Sequence, residues 1–474
     1  MIDTQAIRNK ILDLAMRGQL TEQLPEDGTA ERLYQQVQVE KQGLIKAGKI
    51  KKEKALPAIS ENDVPFEIPK NWAWLRWGNV SFQIQYGYNA PAQDKGRIKM
   101  VRITDIQNNK VLWKNVPYCD IDEDRIFEYR LYPNNILFAR TGGTVGKSFL
   151  VEKVEEEAVF AGYLIRTSFS SSISAKYMKY FMESQLYWKQ LQDGTTATAQ
   201  PNCNAKTLSK MLVPLPPLAE QQRIVDKINQ AFSILDTIDS LQTQYADNLT
   251  ALKAKLIDAA IQGKLTEQLP EDGTAEELYQ QIQAEKQALI KAGKIKKEKP
   301  LPEIAADEIS IEIPENWKSC RLGTIITLVS GTDYKPEEYN AEMRGTPYIT
   351  GASNLLPEGV LINRWTETPR CIANDGDVLL VCKGSGYGKV AMCDVEEAHI
   401  ARQIMAIKKT DLLDMRYILY YLTANFSYLK GKGQGLIPGV DRKSVLGMIF
   451  PLPPLAEQKR IAQKIDELMP LFEE

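Results

Sequence analysis

Two glycine-rich segments are the first places where residue types and spacing suggest ligand chemistry. Residues 139–148 read ARTGGTVGKS, and residues 382–390 read CKGSGYGKV. Glycine lets a backbone approach a ligand closely, and flanking lysines can hold a phosphate. A nucleotide-binding P-loop needs a further glycine five residues before the glycine of its Gly-Lys pair, and that position holds Thr141 or Lys383 here. The segments therefore predict anion contacts without a P-loop.

Residues that could carry catalysis or bind a metal are sparse. The six cysteines contain no CxxC pair, and His399 is the sole histidine. Neither a structural zinc site nor a histidine-activated nucleophile is indicated. The Asn/Asp-Pro-Pro-aromatic tetrapeptide that amino-methyltransferases use is also absent. We expect no catalytic residue, metal or cofactor in this chain.

The N-terminal residues lack the apolar core of a signal peptide, and no apolar run reaches the length of a membrane span. We therefore expect a cytoplasmic protein with reduced cysteines. Its charge is uneven along the chain. The whole chain has a net charge of −2, yet residues 70–213 hold 19 Lys/Arg against 13 Asp/Glu, which gives +6. Residues 315–450 hold 16 against 15, and the first segment is thus the better candidate for phosphate contacts.

A long internal duplication organises the chain. Residues 18–59 and 263–304 are identical at 35 of 42 positions. FEIPKNW at 66–72 is repeated as IEIPENW at 311–317, and VPLPPLAEQQRI at 213–224 as FPLPPLAEQKRI at 450–461. The predicted domains are an N-terminal helical repeat, a variable domain, a central helical repeat, a second variable domain and a C-terminal partial repeat, at residues 1–65, 66–213, 214–310, 311–450 and 451–474.

The central repeat is predicted to begin with a long helix. From Ile224 to Ala259 apolar residues recur at alternating steps of four and three, and only Gln242 interrupts the series. This is the spacing of a coiled-coil contact face. Pro216 and Pro217 precede the helix and Gly263 ends it, so it spans about 43 residues and roughly 65 Å.

The two chain ends carry the same spacing in two pieces, which predicts that they meet and form a second, antiparallel helix. Two unrelated amphipathic helices are the alternative. The residues predicted to pair helices are Ile7, Ile11, Leu14, Ile224, Ile228, Leu235, Leu249, Leu252, Leu256, Ile461, Ile465 and Leu468. The variable domains mix strand-like runs at 134–140 and 376–384 with helix-like runs at 175–191 and 415–431. The predicted fold is α+β: two mixed α/β domains separated by long antiparallel, coiled-coil-like repeats in a pseudo-twofold arrangement.

The duplicated order resembles the specificity subunit of a type I restriction–modification enzyme over essentially the whole chain. PLPPLAEQ at 214–221 and 451–458 carries the resemblance, together with Ile-Pro-x-Asn-Trp at 68–72 and 313–317. It implies that each variable domain is a target recognition domain reading one half of a split, asymmetric DNA site. It also implies two methyltransferase subunits and restriction/translocase subunits as partners. Those partners would bind S-adenosylmethionine, ATP and Mg²⁺, and no membrane is involved.

Within the two target recognition domains that the resemblance implies, glycine-rich and polar loops are the candidate DNA contacts. Arginine and lysine suit phosphates or guanine, and amide side chains suit adenine. The candidates are Arg140, Thr141, Gly142, Thr144, Lys147, Thr195, Thr196, Gln200, Asn202, Tyr86, Tyr88, Arg102 and Thr104 in the first domain, and Lys383, Ser385, Tyr387, Lys389, Gln434, Lys432, Tyr334, Thr350 and Asn354 in the second. Structural turns and core packing remain open for these positions.

Two other functional classes remain open at this point. The chain could be a DNA-modifying enzyme with fused recognition domains, although the usual catalytic motifs are missing. It could also be a repeat-built scaffold that binds only proteins, although the charge of +6 on residues 70–213 favours a nucleic-acid partner.

Overall fold

The computed structural model describes residues 1–107, 109–194, 203–309, 312–356, 359–384, 386–425 and 439–472. It divides into two compact units, Met1–Thr243 and Gln244–Glu474. Within the described residues, no helix is both long enough and apolar enough to cross a membrane.

Thirteen helices are found among the described residues. They are α1 (Thr4–Met16), α2 (Ala30–Lys46), α3 (Trp77–Val80), α4 (Glu123–Tyr129), α5 (Ala175–Phe181), α6 (Gln185–Gly194), α7 (Ala205–Lys210), α8 (Leu218–Ile261), α9 (Ala275–Lys291), α10 (Leu322–Ile325), α11 (Met415–Ala424), α12 (Arg442–Leu446) and α13 (Leu455–Leu468). Short 3-10 turns lie between several of them.

The strands belong to the two variable domains. In the first unit they are β1 (Ala73–Arg76), β2 (Ser81–Tyr86), β3 (Ile98–Val101), β4 (Ile106–Gln107), β5 (Lys110–Val111), β6 (Tyr118–Cys119), β7 (Ile136–Ala139), β8 (Ser148–Leu150), β9 (Ala158–Phe160), β10 (Leu164–Phe169) and β11 (Leu212–Leu215). In the second unit they are β12 (Lys318–Arg321), β13 (Leu328–Ser330), β14 (Thr346–Ile349), β15 (Leu355–Leu356), β16 (Gly359–Val360), β17 (Trp365–Thr366), β18 (Ile372–Asn374), β19 (Val378–Val381), β20 (Val390–Met392), β21 (Glu397–Ile400), β22 (Ile404–Ile407) and β23 (Ile449–Leu452).

Each variable domain is built on a four-stranded antiparallel sheet. The strand order is β2-β10-β7-β8 in the first unit and β13-β22-β19-β20 in the second. A second sheet has the order β6-β3-β9 or β17-β14-β21-β18, and it contains one parallel pair, β3 with β9 or β14 with β21. These mixed sheets and their flanking helices confirm the predicted α+β class.

The first and last strands of each domain pair with one another. β1 runs antiparallel to β11, with Arg76 opposite Leu212, and β12 runs antiparallel to β23, with Arg321 opposite Ile449. The Arg76 guanidinium donates to carbonyls on both sides of the domain, including that of Pro57 at 2.8 Å and that of Lys210 at 2.8 Å. The chain therefore enters and leaves each domain through a narrow two-stranded ribbon.

The predicted long helix is confirmed as α8, which is 44 residues long and begins directly after Pro216 and Pro217. Ile224 and Ile228 near its start lie in the core of the first unit, and Leu235 is also buried. Leu249 and Leu256 are half-buried, while Leu252 is 49% exposed. In the C-terminal helix α13, Ile461 and Ile465 are buried and Leu468 is half-buried.

The N-terminal helix α1 packs on the first half of α8 through a partly polar face. The Thr4 hydroxyl donates to Asp239 at 2.5 Å, and the Arg8 guanidinium donates to Asp236 at 2.8 Å. Leu12, one turn further on, is buried, whereas Ile7 is 40% exposed. Ile11 and Leu14 are half-buried. The predicted pairing of the two chain ends with each other stays a prediction.

The three duplicated motifs converge on one buried carboxylate in each unit. In the first unit Glu220, from PLPPLAEQ, accepts hydrogen bonds from the Trp72 indole at 2.9 Å and the Asn71 amide at 3.3 Å, both in the Ile-Pro-x-Asn-Trp motif. Its other oxygen accepts from Thr21 at 3.2 Å and Gln23 at 3.0 Å, in the duplicated TEQ sequence. We call this cluster the carboxylate junction.

The second unit repeats the carboxylate junction around Glu457. The Trp317 indole donates to it at 2.8 Å, Thr266 at 3.2 Å and Gln268 at 2.9 Å. Glu457, like Glu220, is fully buried. A buried carboxylate is tolerated when several donors replace its water. The repeated motifs thus join the helical repeat, the start of the variable domain and the next helix at one point.

His399 lies in the interior of the second variable domain, in β21. Its Nδ1 accepts from the backbone N–H groups of Arg370 at 3.3 Å and Cys371 at 3.2 Å, so Nε2 carries the proton and donates to the Thr332 carbonyl at 2.8 Å. The side chain is fully buried, and this burial lowers the pKa of His399 below its ordinary value.

We expect His399 to make the second unit less stable in acid. Unfolded histidine binds a proton as the pH falls below about 6.5, whereas the buried ring does so only at lower pH. The unfolded state then holds more protons, so the free energy of unfolding falls, by at most about 1.4 kcal/mol per pH unit, until the folded pKa is reached. Urea unfolding at pH about 7.5 and about 5.5 measures this. A His399→Gln variant with the same pH dependence as the original protein would contradict it.

Candidate nucleic-acid interface

The predicted DNA-contacting loops of the first domain emerge at one edge of its four-stranded sheet. β7 ends at Ala139 opposite Leu164, where β10 begins. β2 ends at Tyr86 opposite Ile165. The glycine-rich loop after β7, the turn before β10 and the segment after β2 therefore start side by side. The strand register thus brings together segments that lie about 80 residues apart in the sequence.

Arg140 occupies the centre of this edge. Its backbone N–H donates to the Tyr163 carbonyl at 3.2 Å, and its carbonyl accepts from the Cys203 N–H at 2.9 Å. Its guanidinium lies over the Tyr86 ring, with 4.7 Å between the guanidinium carbon and the ring centroid. The Tyr86 hydroxyl in turn accepts from the Ala205 N–H at 3.1 Å. The structure thus brings two of the predicted contacts, Arg140 and Tyr86, into one stacked pair.

The glycine-rich loop has a fixed base and an open tip. Gly146 adopts a φ of +90° against Trp188, and its carbonyl accepts from the Tyr187 hydroxyl at 2.7 Å. Gly142 adopts a φ of +78°, and no atom lies within 4 Å of the place where a Cβ would stand. Thr144 is half-buried beside it. A loop held at its base and open at its tip can meet a ligand without refolding.

A cavity beside this loop gathers further predicted residues. Tyr88, Arg102, Thr104 and Thr141 line it together with Tyr163. Lys147 does not reach this cavity and lines a different groove, which also contains Arg8 and Lys179 of the same unit.

Arg102 is already paired within the protein. It donates to both carboxylate oxygens of the buried Asp105, at 3.1 Å and 2.8 Å, and this partner raises the pKa of the arginine. Thr104 beside it is exposed, whereas Tyr88 packs against Tyr129 with 5.2 Å between ring centroids. Thr104 is therefore better placed than Tyr88 to meet a ligand.

The second domain repeats this edge with different side chains. β19 ends at Val381 opposite Ile404, where β22 begins. The Cys382 N–H donates to the Gln403 carbonyl at 2.7 Å, as Arg140 donates to Tyr163, and the Val440 N–H donates to the Cys382 carbonyl at 2.8 Å. Position 382 thus corresponds to position 140, and Gln403 corresponds to Tyr163.

The loops after β14 and β19 meet near Gln403. The side-chain oxygen of Gln403 lies 3.2 Å from the place of a Cβ on Gly351 and 3.3 Å from that on Gly384. The Lys389 ammonium donates to the Ala352 carbonyl at 3.4 Å. Lys383 and Lys389 are exposed, and Thr350 and Tyr387 are half-buried. This edge therefore presents basic and amide groups together.

A family model described as "Type I restriction modification DNA specificity domain" matches residues 86–244 and 314–473, together more than half of the chain. The chain belongs to this family. Among its relatives are the specificity subunits of the Escherichia coli type I restriction enzymes EcoAI and EcoEI. Both are 26% identical, over 98% and 97% of this chain and 88% of each relative. A putative specificity subunit of Methanocaldococcus jannaschii, MjaX, is 25% identical over 86% of this chain and 89% of its own length.

Solved structures agree with the fold. A chain from work on complex assembly and conformational transition of the type I R-M system aligns with a TM-score of 0.63 at 20% identity, over 86% of this chain and 92% of that one. The HsdS subunit from Thermoanaerobacter tengcongensis aligns with a TM-score of 0.52 at 19% identity, over 86% and 91%. The specificity subunit predicted from the duplicated motifs is thus confirmed by family and by fold, and neither rival functional class gains support.

Two predicted contacts of this specificity subunit disagree with the structure. Asn354 is fully buried, and its side-chain oxygen accepts from the Thr350 hydroxyl at 2.8 Å while its amide donates to the Leu361 carbonyl at 2.7 Å. Tyr334 is 8% exposed and packs on His399 with 4.3 Å between ring centroids. Both side chains stabilise the domain interior, so neither is placed to touch a base.

Seven predicted contacts lie outside the described residues. They are Thr195, Thr196, Gln200, Asn202, Ser385, Lys432 and Gln434. The chain that follows the two longer segments is described, and both times it returns to the same edge, since Cys203 bonds to Arg140 and Val440 bonds to Cys382.

Sequence reasoning missed three exposed residues in the turns before β10 and β22. Tyr163 is 65% exposed, and Arg402 and Gln403 are exposed at the matching turn. The turns contain no glycine-rich signature shared by both domains, so only the strand register places them beside the loops. A search for the strand-like runs that flank each turn could have identified them.

Proposed function

We propose that this specificity subunit reads a bipartite, asymmetric DNA site, with one half-site for each target recognition domain. The observation that supports this most directly is the equivalence of the two sheet edges. Cys382 stands where Arg140 stands, and Gln403 stands where Tyr163 stands, on backbones with the same hydrogen bonds. Different side chains at equivalent backbone positions are what two domains need in order to recognise different half-sites.

The helical repeats supply the second part of the proposal, which concerns partners. The nearly identical sequences of α2 and α9 offer the same surface in each unit, so two copies of one partner can be bound. We assign these positions to two methyltransferase subunits, with restriction/translocase subunits joining for cleavage. S-adenosylmethionine, ATP and Mg²⁺ belong to those partners, and this chain acts in the cytoplasm as the non-catalytic subunit that directs them to DNA.

Methylation mapping tests the proposal. The chain is co-expressed with the methyltransferase subunit encoded beside it, and methylated adenines are mapped across a genome. We expect one interrupted motif whose two halves differ. Absence of methylation from a complex shown to assemble would overturn the proposal.

A domain duplication sharpens the same test. Replacing residues 318–449 with a second copy of residues 73–212 puts β1 in the place of β12 and keeps residues 450–452 of its partner β23. The chain then has two identical recognition domains. With the repeats related by the predicted pseudo-twofold, identical readers would face opposite directions, and the motif should become an inverted repeat of the first half-site. A motif that keeps its original second half would contradict the assignment of one half-site to each domain.

A further inference from the structure

Arginine side chains of the first recognition domain nearly all have partners within the protein. Residues 70–213 contain seven arginines. Among the residues that the structure describes, six of them form a side-chain hydrogen bond or ion pair: Arg76, Arg97, Arg102, Arg125, Arg130 and Arg166. Arg140 forms none, although it sits at the centre of the candidate interface. The contacts within the protein that account for the other six arginines therefore do not account for Arg140.

The residues around Arg140 fix its position but provide no acceptor, among the described residues, for its guanidinium N–H groups. The Tyr86 ring supports one face of the guanidinium, and backbone bonds to Tyr163 and Cys203 fix the main chain. Its Nε is buried and has no hydrogen-bond partner. A guanidinium presents five donors in a rigid fork, and leaving them unpaired beside protein is costly. An arginine that is oriented but unpaired is ready for an acceptor that comes from outside the chain.

The second recognition domain gives the same result. Residues 315–450 also contain seven arginines. Within the described part of the chain, six have a side-chain partner: Arg321, Arg344, Arg364, Arg370, Arg416 and Arg442. The side chain of Arg402 has none. Its backbone N–H donates to Asp333 at 3.0 Å, which anchors the turn, while the residue itself is exposed.

The two unpaired arginines lie at equivalent edges of the two four-stranded sheets, one in each unit. Arg140 follows β7 and bonds to the carbonyl of Tyr163. Arg402 directly precedes Gln403, the residue that corresponds to Tyr163. The two arginines therefore occupy neighbouring strand ends in equivalent sheets, although they are not at equivalent positions. The lack of a side-chain partner is independent of the loop geometry. Both criteria identify one arginine in each domain, at the same candidate interface.

We propose that Arg140 and Arg402 are specificity-determining residues, each reading one guanine in the major groove of its own half-site. This inference rests on the proposed function above. The planar fork matches the O6 and N7 acceptors of guanine in two parallel hydrogen bonds, whereas lysine is a point charge better suited to phosphate. Tyr86 is a positioning residue, because its ring holds the Arg140 guanidinium in one plane. Each half-site therefore contains a G·C pair whose recognition depends on one arginine.

Four variants test the proposal in the assembled methyltransferase complex: Arg140→Ala, Arg140→Lys, Arg402→Ala and Arg402→Lys. Arg140 variants should lose the preference for guanine at one position of the first half-site and leave the second unchanged. Arg402 variants should do the reverse. The preference for guanine over other bases should fall about 5- to 150-fold, the contribution of one bidentate contact. Lysine should restore little of it.

Matched controls are available in both domains. Arg97 and Arg344 are exposed arginines that pair with Glu123 and Glu342. Arg97→Ala and Arg344→Ala remove the same charge and should leave both half-sites unchanged. If these controls also lost guanine preference, the lack of a protein partner would not distinguish Arg140 and Arg402 from the other arginines, and the proposal would be overturned.

The position of Arg140 can be tested through Tyr86. Tyr86→Phe keeps the ring and loses only the hydrogen bond from Ala205, so guanine preference should be retained. Tyr86→Leu removes the stacking surface and should relax the same motif position as Arg140→Ala. The double variant Tyr86→Leu/Arg140→Ala should be no worse than Arg140→Ala alone, whereas additive losses would show that Tyr86 acts separately.

The outcomes separate this inference from the proposed function. If the original complex methylates without a bipartite motif, the proposed function fails. If the original motif is bipartite and the arginine variants keep it, only the present inference fails. In that case equal weakening on all sequences, with a salt dependence of log K shallower by about 0.9, would identify Arg140 and Arg402 as phosphate contacts.

Discussion

Replacing Glu457 with leucine lowers the free energy of unfolding of the second unit by about 3 kcal/mol or more. The substitution leaves two donors at the carboxylate junction without an acceptor, the Trp317 indole and the Thr266 hydroxyl. It also removes one of the three acceptors of the Gln268 amide, which keeps the carbonyls of Gly263 and Thr266. Each buried donor that loses its partner costs about 1–3 kcal/mol, and bonds to a charged group are the stronger ones. Chemical unfolding and hydrogen exchange measure the loss.

The duplication supplies an internal reference for this prediction. Exchange protection should fall at residues 266–268 and around Trp317, while residues 21–23 and Trp72 of the first unit keep theirs. Glu271→Leu, at an exposed position in the same repeat, should change stability by less than about 0.5 kcal/mol. A loss below about 1 kcal/mol for Glu457→Leu would show that the junction does not stabilise the unit.

A single methyl group on Gly331 is expected to have the second large effect. Its Cβ would stand 2.1 Å from the Ala401 carbonyl oxygen, closer than any real contact. The backbone has no freedom to retreat, because Gly331 donates to the Ile404 carbonyl at 3.0 Å and Thr332 to that of Ile400 at 3.0 Å. Overpacking of this kind costs about 1–3 kcal/mol, and we expect the upper part of that range for Gly331→Ala.

Other glycines test whether the effect comes from contact. At Gly87, the equivalent position of the first unit, a Cβ would stand 2.2 Å from the Ala161 carbonyl oxygen, so Gly87→Ala should cost as much. Gly143→Ala should be close to neutral, because no atom lies within 4 Å of its Cβ position. Thermal unfolding of the three variants decides between them. Equal losses at Gly143 and Gly331 would exclude steric contact as the cause.

The helices that depend on apolar spacing were predictable from the sequence. The 44 residues of α8 agree with the predicted long helix. The inward face of α1 was harder to predict because Thr4 and Arg8, which contact Asp239 and Asp236, are polar residues that an apolar pattern does not register.

The candidate site was predictable only in part. Glycine-rich loops can be recognised in a sequence, and Arg140 was predicted in this way. Asn354 has the residue type of a base reader, yet its amide caps a buried turn, and residue type alone cannot distinguish the two roles. Arg402 carries no motif at all. Strand register and the pairing of the other six arginines among the described residues of 315–450 identify it, and both are properties of the folded chain.

The paired first and last strands of each recognition domain bear on how such a protein can change. In β1 and β11 the two ends of a domain of about 140 residues lie at the spacing of neighbouring strands, about 4.8 Å. The chain therefore enters and leaves the domain at this one place, whatever the domain contains. Residues gained or lost within it alter the cost of loop closure only slowly. In engineering terms, the ribbon is an insertion port: the length of the inserted domain can change while its two ends stay one strand spacing apart.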